Sequence, residues 1–201
     1  SAQVQGQAPL EILYGFTLID GTGTAPLEDA AIAVRGNEIV TVASRLELLS
    51  GPDAPRDAIV TNLGGGYVVP GLIDAHVHVD LISHGDYDRY YTFLGGTERL
   101  PEVMPIAAKQ MLRAGVTSAL DLGTPFQILE LRDRIRAGDI PGPRLTVSGP
   151  WITRVYLEGL PAEYQLMIDS PREAAARTRE LIERGADVIK TWVGLTGEDY
   201  R

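Results

Sequence analysis

Over roughly the first 65 residues, short apolar runs alternate with glycine-rich breaks, the spacing of strands and turns. Leu10 to Asp20 is apolar and β-prone and stops at Asp20-Gly21-Thr22-Gly23. Ala31-Ile32-Ala33-Val34-Arg35 and Glu38-Ile39-Val40-Thr41-Val42 flank Gly36-Asn37, and two such runs around a Gly-Asn pair predict a β-hairpin. A further run, Ala58 to Asn62, follows a loop rich in proline and aspartate over residues 51–57. After Gly64-Gly65-Gly66 the pattern changes: Tyr67-Val68-Val69-Pro70-Gly71 leads into Leu72 to His78, and strands begin to alternate with helices. The domain boundary therefore falls near Gly71, giving segments 10–70 and 71–201 behind a disordered tail over residues 1–9.

In the second segment, Glu102 to Ala114 predicts a helix with Val103, Ile106, Ala107 and Met111 facing inward, stopped by Gly115 and followed by a strand, Val116 to Asp121. Phe126 to Ala137 places Ile128, Leu131 and Ile135 on one helical face, and the strand Arg144 to Ser148 follows a Pro-Gly-Pro turn. Ser170 as N-cap, Pro171 at the first helical position and Glu173 in a capping box predict a third helix, with Thr178, Leu181 and Ile182 buried. Ala186 to Trp192 is the strand it delivers. Four strands with three crossovers imply a parallel sheet with right-handed connections. Gly71 to Arg201 is 201 − 71 + 1 = 131 residues, about half of the ~250 that an eight-fold βα barrel takes. The pattern is that of an open sheet or the front half of a barrel.

Composition narrows the partners. The chain is 44% apolar and 22% charged, as in a globular protein, and carries 18 basic against 27 acidic residues, a net charge of −9. The basic residues are scattered, so nucleic acid is not an expected partner. No stretch approaches the ~20 apolar residues of a membrane-crossing helix. Cysteine is absent, which leaves His, Asp, Glu or an unusual ligand to hold any metal. The start, Ser1 to Pro9, has no signal-peptide pattern; being Gln-rich and lacking Met, it favours an exported, periplasmic or secreted, mature protein. Homo-oligomerisation is left open.

The chemistry concentrates in two places. His76 and His78 are separated by one residue in an apolar strand, so both imidazoles leave the same face, close enough to share a divalent cation. A bare His-x-His is as often a hydrogen-bonded pair in a sheet face. Asp74 one step back on the same face and the Pro-Gly turn before the strand favour the metal. Lys190 ends an otherwise apolar strand three crossovers later. A snorkelling lysine is the ordinary alternative, but the carboxyl end of a parallel sheet is where barrels keep their catalytic groups. A neutral lysine there can take up carbon dioxide as a carbamate, whose two oxygens can bridge two metals.

Leu18 to Gly23, Val69-Pro70-Gly71-Leu72-Ile73-Asp74-Ala75-His76-Val77-His78, Gly115 to Gly123 and Gly185 to Lys190 resemble, in order, the amidohydrolase superfamily, specifically its imidazolonepropionase/prolidase-like metal-dependent hydrolases. The resemblance implies an α/β fold: the N-terminal half of a (β/α)8 TIM barrel, strands 1–4, preceded by part of a small β-sandwich. It also implies that His76 and His78 bind the more buried of two divalent metal ions, of zinc type, and that carboxylated Lys190 bridges the pair as a catalytic residue. The activity it implies is hydrolysis of an amide or peptide C–N bond, on short peptides or N-acylated amino acids, with a cyclic amidase or deaminase as runner-up. The family takes two further histidines and a proton-transferring Asp from later strands, so the C-terminal half of the enzyme, on the same or a separate chain, is the expected partner. Without it the half-chain is expected to be inactive and to expose the edge of its fourth strand around Val188-Ile189. Asp121 before Gly-Thr-Pro reads as a turn or helix cap, His84 as a surface residue, and Trp192 with Thr196 to Tyr200 as a loop able to shape a pocket.

Overall fold

The computed structural model of the protein describes residues 8–82 and 85–201. Most of the expected N-terminal tail (residues 1–7) and His84 lie outside the described residues. The chain divides into two compact units, the first ending at Pro70 and the second beginning at Gly71.

In the first unit, β1 (Leu10–Leu18), β2 (Leu27–Arg35), β3 (Glu38–Ser44), the short helix α1 (Arg45–Ser50), β4 (Ile59–Asn62) and β5 (Tyr67–Val68) follow one another. They form one sheet in the order β3-β2-β1-β4, with β5 also on β1. The β2–β3 hairpin turns at Gly36-Asn37, and Arg35 pairs with Glu38. A bulge at Gly15, whose φ is 83°, shifts the β1–β2 register between Tyr14 and Phe16. One extra residue reverses side-chain parity. Ile12 therefore packs with Ala31, Ala33 and Leu48, whereas Phe16 joins Ala30 and Ile32 in a second cluster. Helix α1, which no periodicity announced, spans six residues and is capped by Ser44, whose hydroxyl accepts from Glu47 N at 3.2 Å.

The second unit contains β6 (Leu72–Val77), α2 (Tyr87–Leu94), α3 (Leu100–Arg113), β7 (Val116–Asp121), α4 (Gln127–Ala137), β8 (Arg144–Val147), β9 (Trp151–Thr153), a 3-10 turn (Ala162–Tyr164), β10 (Gln165–Met167) and α5 (Pro171–Glu183). Strands β6, β7 and β8 lie side by side, all parallel. Helices α2 to α4 cover them through a core that includes Leu94, Leu100, Met104, Ala108 and Ile128; each of these fully buried side chains larger than alanine contributes about 1.5–3 kcal/mol. This is an open run of the βα units from which a TIM barrel is built.

The differences from expectation have local causes. Helix α2 is additional; its signals, Asp86 accepting from Arg89 N at 3.0 Å and Gly95 stopping it at φ 63°, were present but short. Ile106 and Ile182 are exposed rather than buried, because α3 turns Met104 and Ala108 inward and α5 turns Ala174 and Leu181 inward. On α5, Ser170 caps Glu173 N as expected, but the Glu173 carboxylate accepts from Asp169 N, one residue before the N-cap. The fourth strand is not continuous. Asp187 N donates to Val147 O at 2.8 Å, then Ile152 N donates to Lys190 O at 2.9 Å and Trp192 N to Ile152 O at 2.8 Å. Its neighbour breaks at Gly149-Pro150, where Gly149 has φ 69° and Pro150 has no N–H, so pairing resumes only at β9. β9 then pairs in parallel with β10, an excursion the sequence pattern did not announce.

Arg132, 7% exposed, holds this discontinuous segment: its Nη1 donates to Gly185 O at 2.6 Å and to Asp187 Oδ2 at 3.0 Å. Asp187 Oδ2 also accepts from Val147 N at 3.0 Å. Arg132→Ala removes the donor to the Gly185 carbonyl and the close ion-pair partner of Asp187, which keeps Val147 N, and is expected to cost about 2–4 kcal/mol, below the figure for a wholly buried pair because Asp187 is partly hydrated. Arg136→Ala, on an exposed arginine 3.9 Å from the same carboxylate, is expected to cost less than about 1 kcal/mol. Urea unfolding of both variants checks the difference.

Candidate metal centre and the cavity beside it

Parallel pairing brings the carboxyl ends of the strands to one edge. Val77 is paired with Asp121, Leu122 N donates to Val77 O at 3.1 Å and Ser148 N to Asp121 O at 3.0 Å. His76 is the penultimate residue of β6 and exposed; His78 follows the strand and is half-buried. Their ring centroids are 5.4 Å apart with planes inclined by 60°. Asp74 is exposed, and its Oδ1 accepts from His76 N at 3.2 Å, which fixes the backbone before the pair. Lys190 is half-buried, with Nζ 5.2 Å from the Trp192 ring centroid. Burial lowers the His78 pKa; the neighbouring His76 and Lys190 push the same way, against the opposing pull of Asp80. His78 is thus biased toward the neutral imidazole, the form that offers a lone pair to a cation.

These donors fit part of a divalent metal's shell. Two imidazoles and an amine able to become a carbamate are the N and O ligands such cations accept. Among the described residues no cluster of three or more His, Asp or Glu side chains stands ready to complete it.

Two carboxylates below the histidines were not singled out as a unit. Asp80 and Asp121 are both fully buried. Asp121 accepts from Val79 N at 2.7 Å, Thr124 N at 3.1 Å and Gly123 N at 3.4 Å, the turn-capping role its sequence context indicates. Thr124 Oγ1 lies 2.8 Å from Asp121 Oδ2 and 3.0 Å from Asp80 Oδ1, one hydroxyl proton between two acids. Asp80 Oδ2 accepts from Tyr164 O–H at 2.5 Å, and its carbonyl accepts from Tyr90 O–H. Burial raises both acids, Asp121 to about 6. No alternation marked Asp80, which lies in the turn after β6.

Beside His78 and Asp80 lies a cavity of about 450 Å3 walled by Tyr87, Tyr91, Trp151, Tyr164 and Trp192. Gly123 makes room for it. Its φ is +147°, and a Cβ there would stand 2.4 Å from the Trp151 ring and 3.3 Å from His78 Cε1. Of the loop after Lys190, Trp192 reaches this wall. Residues 196–200 instead fold onto Arg154, whose guanidinium donates to both oxygens of Asp199 at 2.9 and 2.7 Å.

The amidohydrolase family model matches residues 67–196, more than half of the chain. The chain belongs to the amidohydrolase family. Over 60 residues, 30% of its length, it is 38% identical to an imidazolonepropionase of Ralstonia nicotianae, of which those residues make up 14%. It superposes on a Bifidobacterium longum structure assigned as a prolidase with a TM-score of 0.69 at 26% identity, covering 95% of this chain and 42% of that one. For ochratoxinase of A. niger the TM-score is 0.68 at 25% identity, with 95% and 48% covered. This amidohydrolase chain thus spans less than half the length of these solved relatives, and its open sheet corresponds to the N-terminal half of their barrel. Members of the family generally use divalent metals. Among the described residues no helix is long and apolar enough to cross a membrane.

Gly123→Ala is expected to cost about 1–3 kcal/mol through backbone strain and to displace Trp151, read as a fluorescence change and a lower urea midpoint. Because Asp121 is raised to about 6 by burial, the unfolded chain releases that proton first, near its ordinary value of about 3.9. Unfolding free energy should therefore fall as pH rises from about 4 to about 6, Asp80 contributing with the same sign. Asp121→Asn should be less stable throughout, because its amide faces Val79 N–H, and should show a shallower slope across that window; urea midpoints at several pH values check both.

Proposed function

We propose that this chain carries the first metal ligands of a hydrolase that cleaves amide or peptide C–N bonds, dipeptidase- or prolidase-like, acting on short peptides or N-acylated amino acids. The observation that supports it best is the juxtaposition of His76, His78 and Lys190 at the carboxyl ends of parallel strands, where barrel enzymes keep their chemistry. Two zinc-type cations in such a site would supply a water of lowered pKa and polarise the scissile carbonyl. His76 and His78 would hold the more buried cation through ring nitrogens. Lys190 would act as its carbamate: the amine lone pair bonds to carbon dioxide, one N–H proton leaves to water, and the two oxygens share the negative charge. Asp80, Thr124 and Asp121 keep the floor beneath His78 closed to solvent.

The remaining ligands and the carboxylate that moves a proton to the leaving amine are proposed to come from a complementary C-terminal half, on the same or a separate polypeptide. Strand β6, at the edge of its sheet, exposes Leu72 and Ile73, the latter at 77%, apolar surface that such a complement would cover. A cyclic amidase or deaminase is the second reading, favoured by the likeness to an imidazolonepropionase; the presence of Lys190 favours the binuclear hydrolase.

Outer-shell partners of a metal ligand cost about 10–100-fold when removed, so His76→Ala or His78→Ala in the complete enzyme should lose more than about a hundredfold in hydrolysis and lower bound metal. Elemental analysis and turnover of Xaa-Pro and N-acyl substrates measure both, and wild-type values in either variant overturn the assignment. Lys190→Ala should lose activity and regain part of it with short-chain carboxylic acids. An unmodified Lys190 in the mass spectrum of metal-loaded protein would overturn the binuclear model.

A further inference from the structure

Five aromatic rings make a continuous wall around the cavity beside His78. Trp151 contacts Trp192 with centroids 5.7 Å apart and Tyr164 at 6.0 Å; Tyr164 meets Tyr91 edge-on at 5.5 Å, and Tyr91 stacks on Tyr87 at 6.2 Å. The wall is held rigid from behind, because Tyr164 O–H is committed to the buried Asp80 carboxylate, itself braced through Thr124. At about 450 Å3 the space is within the range of small-molecule sites and holds a substituted benzene ring with room to spare.

Two observations say what kind of group enters. The first is the wall itself, built of aromatic rings, with the Trp151 indole N–H buried away from solvent rather than offered to the cavity. Such a wall takes aromatic and apolar surface. The second is charge. The lining contains the carboxyl groups of Asp80, Asp88 and Glu158 and no lysine or arginine, and Asp88 and Glu158 are exposed. An anion would have to pass them.

We infer that this cavity is the recognition pocket for an aromatic or bulky apolar group, uncharged or cationic. This deepens the hydrolase reading and rests on it only for the reaction that follows binding. It assigns Trp151 as a specificity-determining residue, and Asp88 with Glu158 as the groups that exclude carboxylates from this side of the scissile bond.

Both tryptophans of the chain line the pocket, so intrinsic fluorescence reads occupancy without metal or turnover. Titration of the 201-residue chain with benzamide, benzylamine and benzoate should give saturable quenching by the first two and at least about tenfold weaker binding of benzoate, the scale of one unfavourable charge contact. Trp151→Phe, read through Trp192, should weaken benzamide and benzylamine alike by about two- to fivefold, the loss of part of the ring contact. Asp88→Asn with Glu158→Gln, both on the surface, should bring benzoate close to benzamide, and this arm carries the test should Trp151→Phe lose its far-UV circular dichroism. Benzoate binding as tightly as benzamide to the unaltered chain, or no saturable quenching by any probe, overturns the pocket. In the complete enzyme, benzamide binding without zinc uptake or hydrolysis keeps the pocket and overturns the hydrolase reading; zinc uptake and hydrolysis without benzamide binding do the reverse.

Discussion

A carboxylate with no access to water joins the ends of two parallel strands. Asp121 accepts one backbone N–H from the turn after β6 and two from the turn after β7, so the loops that carry His78 and Gly123 cannot move independently. Through Thr124 the same acid braces Asp80, and through Asp80 it braces Tyr164. Position of the imidazole pair and shape of the cavity wall both hang on this one buried knot. Its cost is visible in the raised pKa of both acids, which water would otherwise have kept ionised.

What local pattern and chemistry encode was legible before any coordinates. The Gly36-Asn37 hairpin, the Ser170 cap, the strand–helix alternation from β6 to β8 and the His76/His78 pair each depend on a few residues whose conformational preferences act within one turn or strand. The amidohydrolase likeness, carried by the same segments, extended that reading to the barrel. What escaped depends on longer-range facts. The bulge at Gly15 decides which cluster Phe16 joins, and only pairing with β2 reveals it. The break at Gly149-Pro150 splits the fourth strand because its neighbour, forty residues away in the case of Val147 and Asp187, stops offering partners.

Asp80 escaped for a different reason. It lies in a turn, where alternation has ended, and its importance comes from three hydroxyls, those of Tyr90, Thr124 and Tyr164, gathered from distant parts of the unit. No motif of fixed spacing connects them. Trp151 is similar: nothing in Gly149-Pro150-Trp151 indicates that an indole N–H will be sealed away with its ring against Trp192 and the His78 side of the strands.

The excursion between Trp151 and Met167 has an evolutionary consequence. It supplies Trp151, Leu157, Glu158 and Tyr164 to the cavity, while the imidazoles, His78 among the cavity's lining, and Lys190 belong to the strand ends and not to this excursion. Its own fold is local: β9 pairs with β10, and Gln165 closes the intervening loop by giving to and taking from the Leu157 backbone. The loop within it can be exchanged, lengthened or recoloured residue by residue while Ile152 keeps its bond to Lys190 and Tyr164 its bond to Asp80. A single ancestral chemistry can thus be offered to new substrates by rewriting the loop between those two anchors, on the principle that loops diversify faster than the scaffold that carries them.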